Sequence, residues 1–138
     1  MVDVRALTNG RTARRLAEEK IIWIVSVRDD GRPHTVPVWF DWDGEAVTIF
    51  TKPGYQKVKN IRQDPRVVVS LDTANDGEEV DIFEGEATLL DRSSAEVVRP
   101  EYLEKYRQNI PAIGTTEEKM MAEYSQPIVV RLTRFMGW

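Results

Sequence analysis

Six short runs rich in β-branched and aromatic residues divide most of the chain into pieces of strand length. They span Ile21–Val27, His34–Trp42, Glu45–Thr51, Arg66–Leu71, Val80–Leu90 and Ile128–Leu132. Asp29-Asp30-Gly31 and Asp43-Gly44 separate the first three runs. Such sequences are typical of hairpin turns, because glycine readily adopts a positive φ. The first three runs therefore predict an antiparallel meander, in which each strand pairs with the one before it.

Helical patterns lie between the strands at irregular intervals. Arg11–Lys20 predicts a helix that Thr12 could cap, and Tyr55–Gln63 predicts a second helix with one apolar face. Ser93–Tyr124 predicts further short helices. This irregular order disfavours a parallel βαβ sheet, whereas a closed antiparallel barrel leaves no exposed edges. We expect a mainly β fold: a six-stranded antiparallel barrel with accessory helices in a single domain over residues 1–138, with Gly85 at a bulge or bend.

Composition excludes several classes of site and partner. The chain has no cysteine, which rules out disulfides, thiolate metal ligands and cysteine nucleophiles. Its single histidine, His34, lacks neighbours at the spacing of a metal site and is expected to be a surface or hydrogen-bonded residue. A net charge of −4 disfavours a nucleic-acid binder. Without an apolar run of ~18 residues or a secretory pattern at its start, the chain is expected to be cytoplasmic, with no membrane partner.

The segment Thr51–Asn60 has the pattern of an anion site. A strand ends at Thr51, the Pro53-Gly54 turn follows, and a helix begins with free N–H groups and the positive end of its dipole. Lys52 precedes the turn and Lys57 lies in the first helical turn, so both could reach one phosphate. The alternative is that these lysines form a solvated helix face.

A second unusual segment is Thr35–Phe40. Pro37 lies inside a strand, where it removes a ladder donor and frees neighbouring backbone groups for a ligand. Trp39 or Phe40 would lie beside that ligand. The alternative is an edge strand with core aromatics. The chain also lacks glycine-rich phosphate loops and a nucleophile elbow, so an enzyme of this sequence would draw its reactivity from a cofactor.

Taken together, these segments resemble the FMN-binding split-barrel family related to pyridoxamine 5'-phosphate oxidase. The resemblance rests on the strands IIWIVSV, HTVPVWF and VTIFT, the segment TKPGYQKVKNIRQDPRVVVSL and the closing IVVRLTRFMGW. Within that family the pattern is most similar to the flavin/deazaflavin oxidoreductase branch that uses coenzyme F420. It implies a six-stranded Greek-key split barrel, and a homodimer that holds cofactor in two grooves between protomers.

The resemblance also implies a set of cofactor-binding residues. All but one of these residues lie in the two segments above. They are Thr35, Pro37, Val38, Trp39, Thr51, Lys52, Tyr55, Lys57, Asn60 and, outside those segments, Trp138. Lys57 would be the main phosphate cation, assisted by Lys52 and Asn60. The strand from Thr35 to Trp39 would run beside the ring system and Tyr55 would line the groove. Trp138, together with Arg134, would approach the ring or the neighbouring site from the other subunit.

The implied function is an oxidoreductase that uses coenzyme F420 to transfer hydride to a small unsaturated organic substrate. No residue is assigned a catalytic role, and Tyr55, His34 or a water remain open as proton donor. The acidic tail of F420 would favour Lys59 and Arg62, which could equally be solvated. One alternative is an FMN-dependent oxidoreductase on the same fold. Another is a non-catalytic cofactor-binding or carrier protein, with haem disfavoured because His34 is the sole imidazole.

Overall fold

The computed structural model describes residues 10–138. Most of the N-terminal segment, in which the sequence analysis finds no secretory pattern, lies outside these described residues. Within this range the chain is mainly β, with one seven-stranded antiparallel sheet and six short helices. The strands are β1 (Ile22–Val27), β2 (Pro33–Val38), β3 (Asp41–Trp42), β4 (Ala46–Thr51), β5 (Arg66–Leu71), β6 (Asp81–Leu89) and β7 (Gln126–Gly137). The helices are α1 (Arg11–Glu18), α2 (Gln56–Gln63), α3 (Ser94–Val97), α4 (Pro100–Lys105), α5 (Asn109–Ala112) and α6 (Glu117–Glu123). None of these helices has the length and apolar character needed to cross a membrane.

The sheet curls into a half-barrel. Its strands lie in the order β2-β1-β5-β6-β7-β4-β3. Strands β2 and β3 occupy opposite edges of the sheet, although only Trp39 and Phe40 separate them in the chain. These two residues, which we call the crossover, carry the backbone from one edge to the other. The prediction of one strand over His34–Trp42 is therefore wrong, and the sheet has seven strands rather than six because that segment divides at the crossover.

Helical residues far along the chain hold the crossover in place. The hydroxyl of Tyr106 accepts a hydrogen bond from the backbone N–H of Phe40 (3.0 Å) and donates one to the carbonyl of Lys20 (2.7 Å). The Lys105 ammonium donates to the carbonyl of Phe40 at 3.2 Å. The ring of Trp39 stacks on that of Tyr106, with centroids 4.5 Å apart. Side chains thus satisfy the backbone groups of Phe40, which lie between the two edge strands.

Two apolar clusters fill the molecule. The larger cluster lies inside the curled sheet and under α1, and includes Leu16, Ile22, Ile24, Phe40, Val47, Ile49, Val69, Phe83, Ile128 and Val130. The smaller cluster joins the end of β4 to the helices that follow β6, and consists of Phe50, Tyr102, Tyr106, Ile110, Met120 and Met121. The short helices α4 to α6 are therefore anchored by aromatic and methionine side chains on one flank of the half-barrel.

Local sequence signals account for much of this arrangement. Both predicted hairpins are confirmed by the pairing of β1 with β2 and of β3 with β4. The pairing of β6 with β7 shifts register between Glu84 and Gly85, which confirms the predicted bulge. A Cβ on Gly85 would lie 2.7 Å from Val130 Cγ1 and 2.8 Å from the Arg131 carbonyl oxygen, so only glycine fits there without a shift.

Two other expectations are wrong. Thr12 does not cap α1: Gly10 is the N-cap residue, and Thr12 lies inside the helix and donates to Asp81 Oδ1 at 2.7 Å. The last strand does not end at Leu132 but continues to Gly137, because the supposed tail pairs with the start of β6. Phe135 lies opposite Phe83 in that pairing, with ring centroids 5.1 Å apart.

The Tyr106 hydroxyl can be tested with a matched pair of variants. Tyr106→Phe should lower the free energy of unfolding by about 1–3 kcal/mol, because the buried N–H of Phe40 loses its acceptor. Tyr102→Phe is the control, since the Tyr102 hydroxyl makes no hydrogen bond to the described residues, and it should change stability by less than about 0.5 kcal/mol. Urea unfolding measures both. Equal effects would contradict the role given to Tyr106.

Candidate functional site

A cavity of about 410 Å³ opens beside the crossover. Pro37, Val38 and Trp39 form one side of it, where β2 ends and the chain turns toward the opposite edge. Phe50 and Thr51, at the end of β4, form its base. A strand end, a crossover and a helix start therefore meet at one concave surface, which is a common setting for small-molecule binding.

The opposite wall comes from the helices after β6. Its lining residues are Tyr102, Ile113, Met120, Met121 and Tyr124. Met120 and Met121 are buried in the smaller apolar cluster, whereas Ile113 is 63% exposed at the rim. This wall is apolar and aromatic, and methionine side chains adapt readily to the shape of what they contact. It suits the flat, apolar part of a ligand.

The other end of the cavity is cationic and poor in counter-charges. The side chain of Lys57 is only 6% exposed, and no carboxylate of residues 10–138 forms an ion pair with it. Burial lowers the pKa of Lys57, because desolvation penalises the ammonium. Its Nζ lies 4.8 Å from the centroid of the Tyr55 ring. A buried cation in this state is a ready partner for an anion.

Two further donors lie at the same end. Thr51 Oγ1 is buried and has no hydrogen-bond partner in the described part of the chain. Helix α2 follows Tyr55, whose side chain makes no capping hydrogen bond to the first-turn N–H groups. A phosphate would satisfy the hydroxyl, the helix N–H groups and the Lys57 ammonium together. The residues present therefore fit a ligand with a phosphate at one end and a ring system along the apolar wall.

A second cavity of about 410 Å³ lies between β2 and α2 and shares Pro37, Tyr55 and Lys57 with the first. His34 lines it, and the Nδ1 atom of His34 is buried without a partner among residues 10–138. Burial lowers the pKa of His34, and the positive charges of Arg28 and Lys57 lower it further. The imidazole thus lies in a cationic setting.

The structure brings many of the predicted site residues together. Those that line the first cavity are Pro37, Val38, Trp39, Thr51, Tyr55 and Lys57. Lys52 lies at its edge, with Nζ 5.8 Å from the centroid of the Tyr55 ring and 5.4 Å from that of Tyr124.

Three predicted residues lie elsewhere. Thr35 is exposed on β2 and does not line the cavity. Asn60 is buried, and its amide donates to Ser26 Oγ (2.9 Å) and accepts from Gln56 Nε2 (2.7 Å), so it fastens α2 to β1. Trp138 is 65% exposed, and its indole donates to the Gly77 carbonyl. Roles for these side chains in cofactor binding remain predictions.

Sequence reasoning missed the helical wall. Tyr102 with Tyr106, and Met120 with Tyr124, follow the i, i+4 spacing of one helix face. The helices that carry them are too short to be stable alone, which indicates that their apolar faces pack against the barrel. That signal was present, but it does not say which part of the barrel the helices cover.

Comparison with known proteins agrees with this fold. Residues 10–138 match the pyridoxamine 5'-phosphate oxidase family. No curated protein matches the chain. Among solved structures, an F420 reductase is 26% identical over 89% of this chain and 94% of that chain, with a TM-score of 0.70.

Two more distant structures share the fold. A FAD-binding protein from Mesorhizobium loti is 16% identical over 90% of this chain and 89% of that chain, with a TM-score of 0.64. The heme storage protein HutZ from Vibrio cholerae is 13% identical over 91% of both chains, with a TM-score of 0.63. At these identities the likeness shows the fold alone.

Because Lys57 is desolvated, we expect its side chain to lower the free energy of unfolding. Lys57→Met should raise the free energy of unfolding by about 1 kcal/mol at neutral pH, the lower end of the cost of a buried polar group without a partner. The folded-state pKa of Lys57 is lower than the unfolded one, so the gain should shrink as the pH rises through it. Lys59→Met, at an exposed position of the same helix, is the control. Urea unfolding that shows no gain for Lys57→Met over Lys59→Met would contradict this account.

Proposed function

Because the chain belongs to the pyridoxamine 5'-phosphate oxidase family, we propose that it is an oxidoreductase that binds a flavin-type cofactor in the first cavity. Coenzyme F420 is the proposed cofactor, and a small unsaturated organic molecule is the proposed hydride acceptor. The observation that carries the proposal is the buried Lys57, which has no counter-ion in residues 10–138 and lines the same cavity as Thr51, whose buried hydroxyl has no partner among those residues. An anion-binding end next to an aromatic wall matches a phosphorylated ring cofactor.

Two points favour F420 over FMN. The F420 reductase is the neighbour above with the higher identity, and the sequence pattern is most similar to the deazaflavin branch. Lys59 and Arg62 are also exposed on α2, beyond the phosphate end, where an acidic extension of the ligand would meet them. FMN would use the same phosphate end and the same wall, so a binding comparison separates the two.

The chain's own residues would bind and orient, while the bound cofactor supplies the hydride chemistry. Lys57, Thr51 and the first N–H groups of α2 would hold the phosphate. Val38 and Trp39 would border the ring on one side, and Met120 with Tyr124 would hold an apolar substrate on the other. Such positioning brings donor and acceptor to within about 3–3.5 Å. The hydroxyl of Tyr55 and the imidazole of His34 are the nearest candidates to hold a proton for the product.

We further propose that the protein is a homodimer, associated through the outer face of the sheet. Trp23, Ser70, Ile82 and Met136 lie opposite one another across β1, β5, β6 and β7. Trp23 is 36% and Met136 57% exposed, so this row presents apolar surface to its surroundings. A second copy would cover it and bring Trp138, which follows β7, closer to a neighbouring site.

Cofactor preference is tested by titrating F420 and FMN and following intrinsic tryptophan fluorescence, to which Trp39 in the cavity wall contributes. F420 should bind preferentially, and Lys57→Met should weaken its binding about 10- to 150-fold, the value of a hydrogen bond to a charged group. Arg14→Met, at an exposed position of α1, controls for the loss of one positive charge. Unchanged affinity in Lys57→Met would overturn the phosphate assignment.

Turnover is then measured with reduced F420 and an activated unsaturated acceptor. Oxidation of the cofactor supports the reductase. Preferential binding of FMN would move the function to an FMN-dependent oxidoreductase. Tight binding without turnover of any acceptor would favour a carrier, and indifference to both cofactors would overturn the proposal.

The dimer is tested by analytical ultracentrifugation. Val68→Glu places a carboxylate on the proposed face, opposite Glu84 on β6, and should convert a dimer into monomers because association would have to desolvate the added charge. Ala122→Glu, at an exposed position of α6, should leave the mass unchanged. A monomeric wild-type protein would contradict the proposal.

A further inference from the structure

The second cavity has features of an anion-binding site, a role that the proposed function does not give it. It lies between β2 and the start of α2, and Lys57 lines both it and the first cavity. Gln56, which precedes Lys57, also lines this cavity, and its amide donates a hydrogen bond to Asn60 Oδ1. His34 and Tyr55 also line this cavity, and His34 is the second basic side chain of the lining. A single lysine is thus shared between two adjoining spaces.

His34 lies in this cavity with an unmet hydrogen-bonding capacity. Its Nδ1 is buried and has no partner in the part of the chain that the structure describes. Buried polar atoms are almost always paired in folded proteins, so one without a partner calls for a missing ligand or water. An acidic ligand group is a good partner for such an atom, because the imidazolium donates from both ring nitrogens.

The charges around His34 favour an anion over a cation. Arg28, from the hairpin before β2, and Lys57, from α2, are the charged groups that act on it. No carboxylate in residues 10–138 forms an ion pair with Lys57 or His34, so the Lys57 ammonium lacks an internal counter-ion and a protonated His34 would lack one as well. A bound anion would relieve the repulsion among these groups.

We propose that this cavity is a second anion subsite, in which His34 and Lys57 hold an acidic group of the ligand beyond the phosphate that lies beside Thr51. The inference rests on the proposed function and specifies its ligand class. The site takes a ligand with two neighbouring acidic groups, such as a diphosphate or a phosphodiester followed by carboxylates. A ligand with one phosphate fills only half of the anion-binding surface.

Proton uptake follows from this arrangement. The pKa of His34 in the free protein is held below its ordinary value, and a neighbouring anion raises it. Binding of the second acidic group therefore takes up a proton at His34. The affinity for a two-anion ligand falls as the pH rises through the interval between the free and bound pKa values.

The first experiment measures the affinity for F420 by fluorescence between about pH 5.5 and 8, a range in which the phosphodiester and carboxylates of that ligand stay ionised. Wild-type protein should lose about five- to tenfold in affinity across this range. His34→Gln, which keeps a hydrogen-bonding side chain but does not titrate, should show no such pH dependence. Arg32→Gln removes an exposed cation from the same hairpin and should keep the wild-type slope.

The second experiment compares ligands near pH 6. His34→Gln should weaken the binding of F420 and of FAD, which carries a diphosphate, but leave the binding of FMN close to that of the wild type. Loss with F420 alone assigns the subsite to carboxylates, and loss with both assigns it to any second acidic group. Cofactor binding without a pH dependence, or with the same slope in His34→Gln, overturns the second subsite and leaves the proposed function standing. No binding of any cofactor by the wild type overturns both.

Discussion

The hydroxyl of Tyr106 fixes the point at which the backbone passes from one edge of the sheet to the other. It binds Phe40 and Lys20 at once, so a single side chain ties the crossover to the start of β1. Its ring stacks on Trp39, which forms a side of the cavity. This contact therefore links the crossover, the start of β1 and the side of the cavity that Trp39 forms.

The polar side chains of the candidate site lower the stability of the folded protein. Among residues 10–138, the desolvated Lys57 has no counter-ion, and Thr51 Oγ1 and His34 Nδ1 have no hydrogen-bond partner. Each of these costs free energy that the apolar interior of the half-barrel offsets. A bound anion returns part of that cost as binding free energy. The same polar groups that lower the stability of the folded protein would therefore give an anionic ligand its affinity and its orientation under the proposed function.

Local features of the fold could be predicted from the sequence, and features that depend on distant contacts could not. The hairpins, the bulge at Gly85 and the turn that leads from Thr51 to Lys57 each depend on a few neighbouring residues. The division of His34–Trp42 into two strands depends on Tyr106, 66 residues away from Phe40. Likewise, the strand character of the last residues depends on their pairing with β6, and the helical wall depends on where the barrel leaves apolar surface uncovered.

The place of β7 in the sheet has a consequence for the order of assembly. Among the described strands β7 comes last in the chain, yet it lies between β6 and β4, pairing with β4 from Gln126 to Arg131 and with β6 from Ile128 to Gly137. A growing chain can form β1 with β2 and β5 with β6 early, but β4 has no neighbour on that side until β7 has been synthesised. The cationic end of the first cavity, which follows β4, therefore acquires its final setting only when the last segment of the chain has folded between β4 and β6.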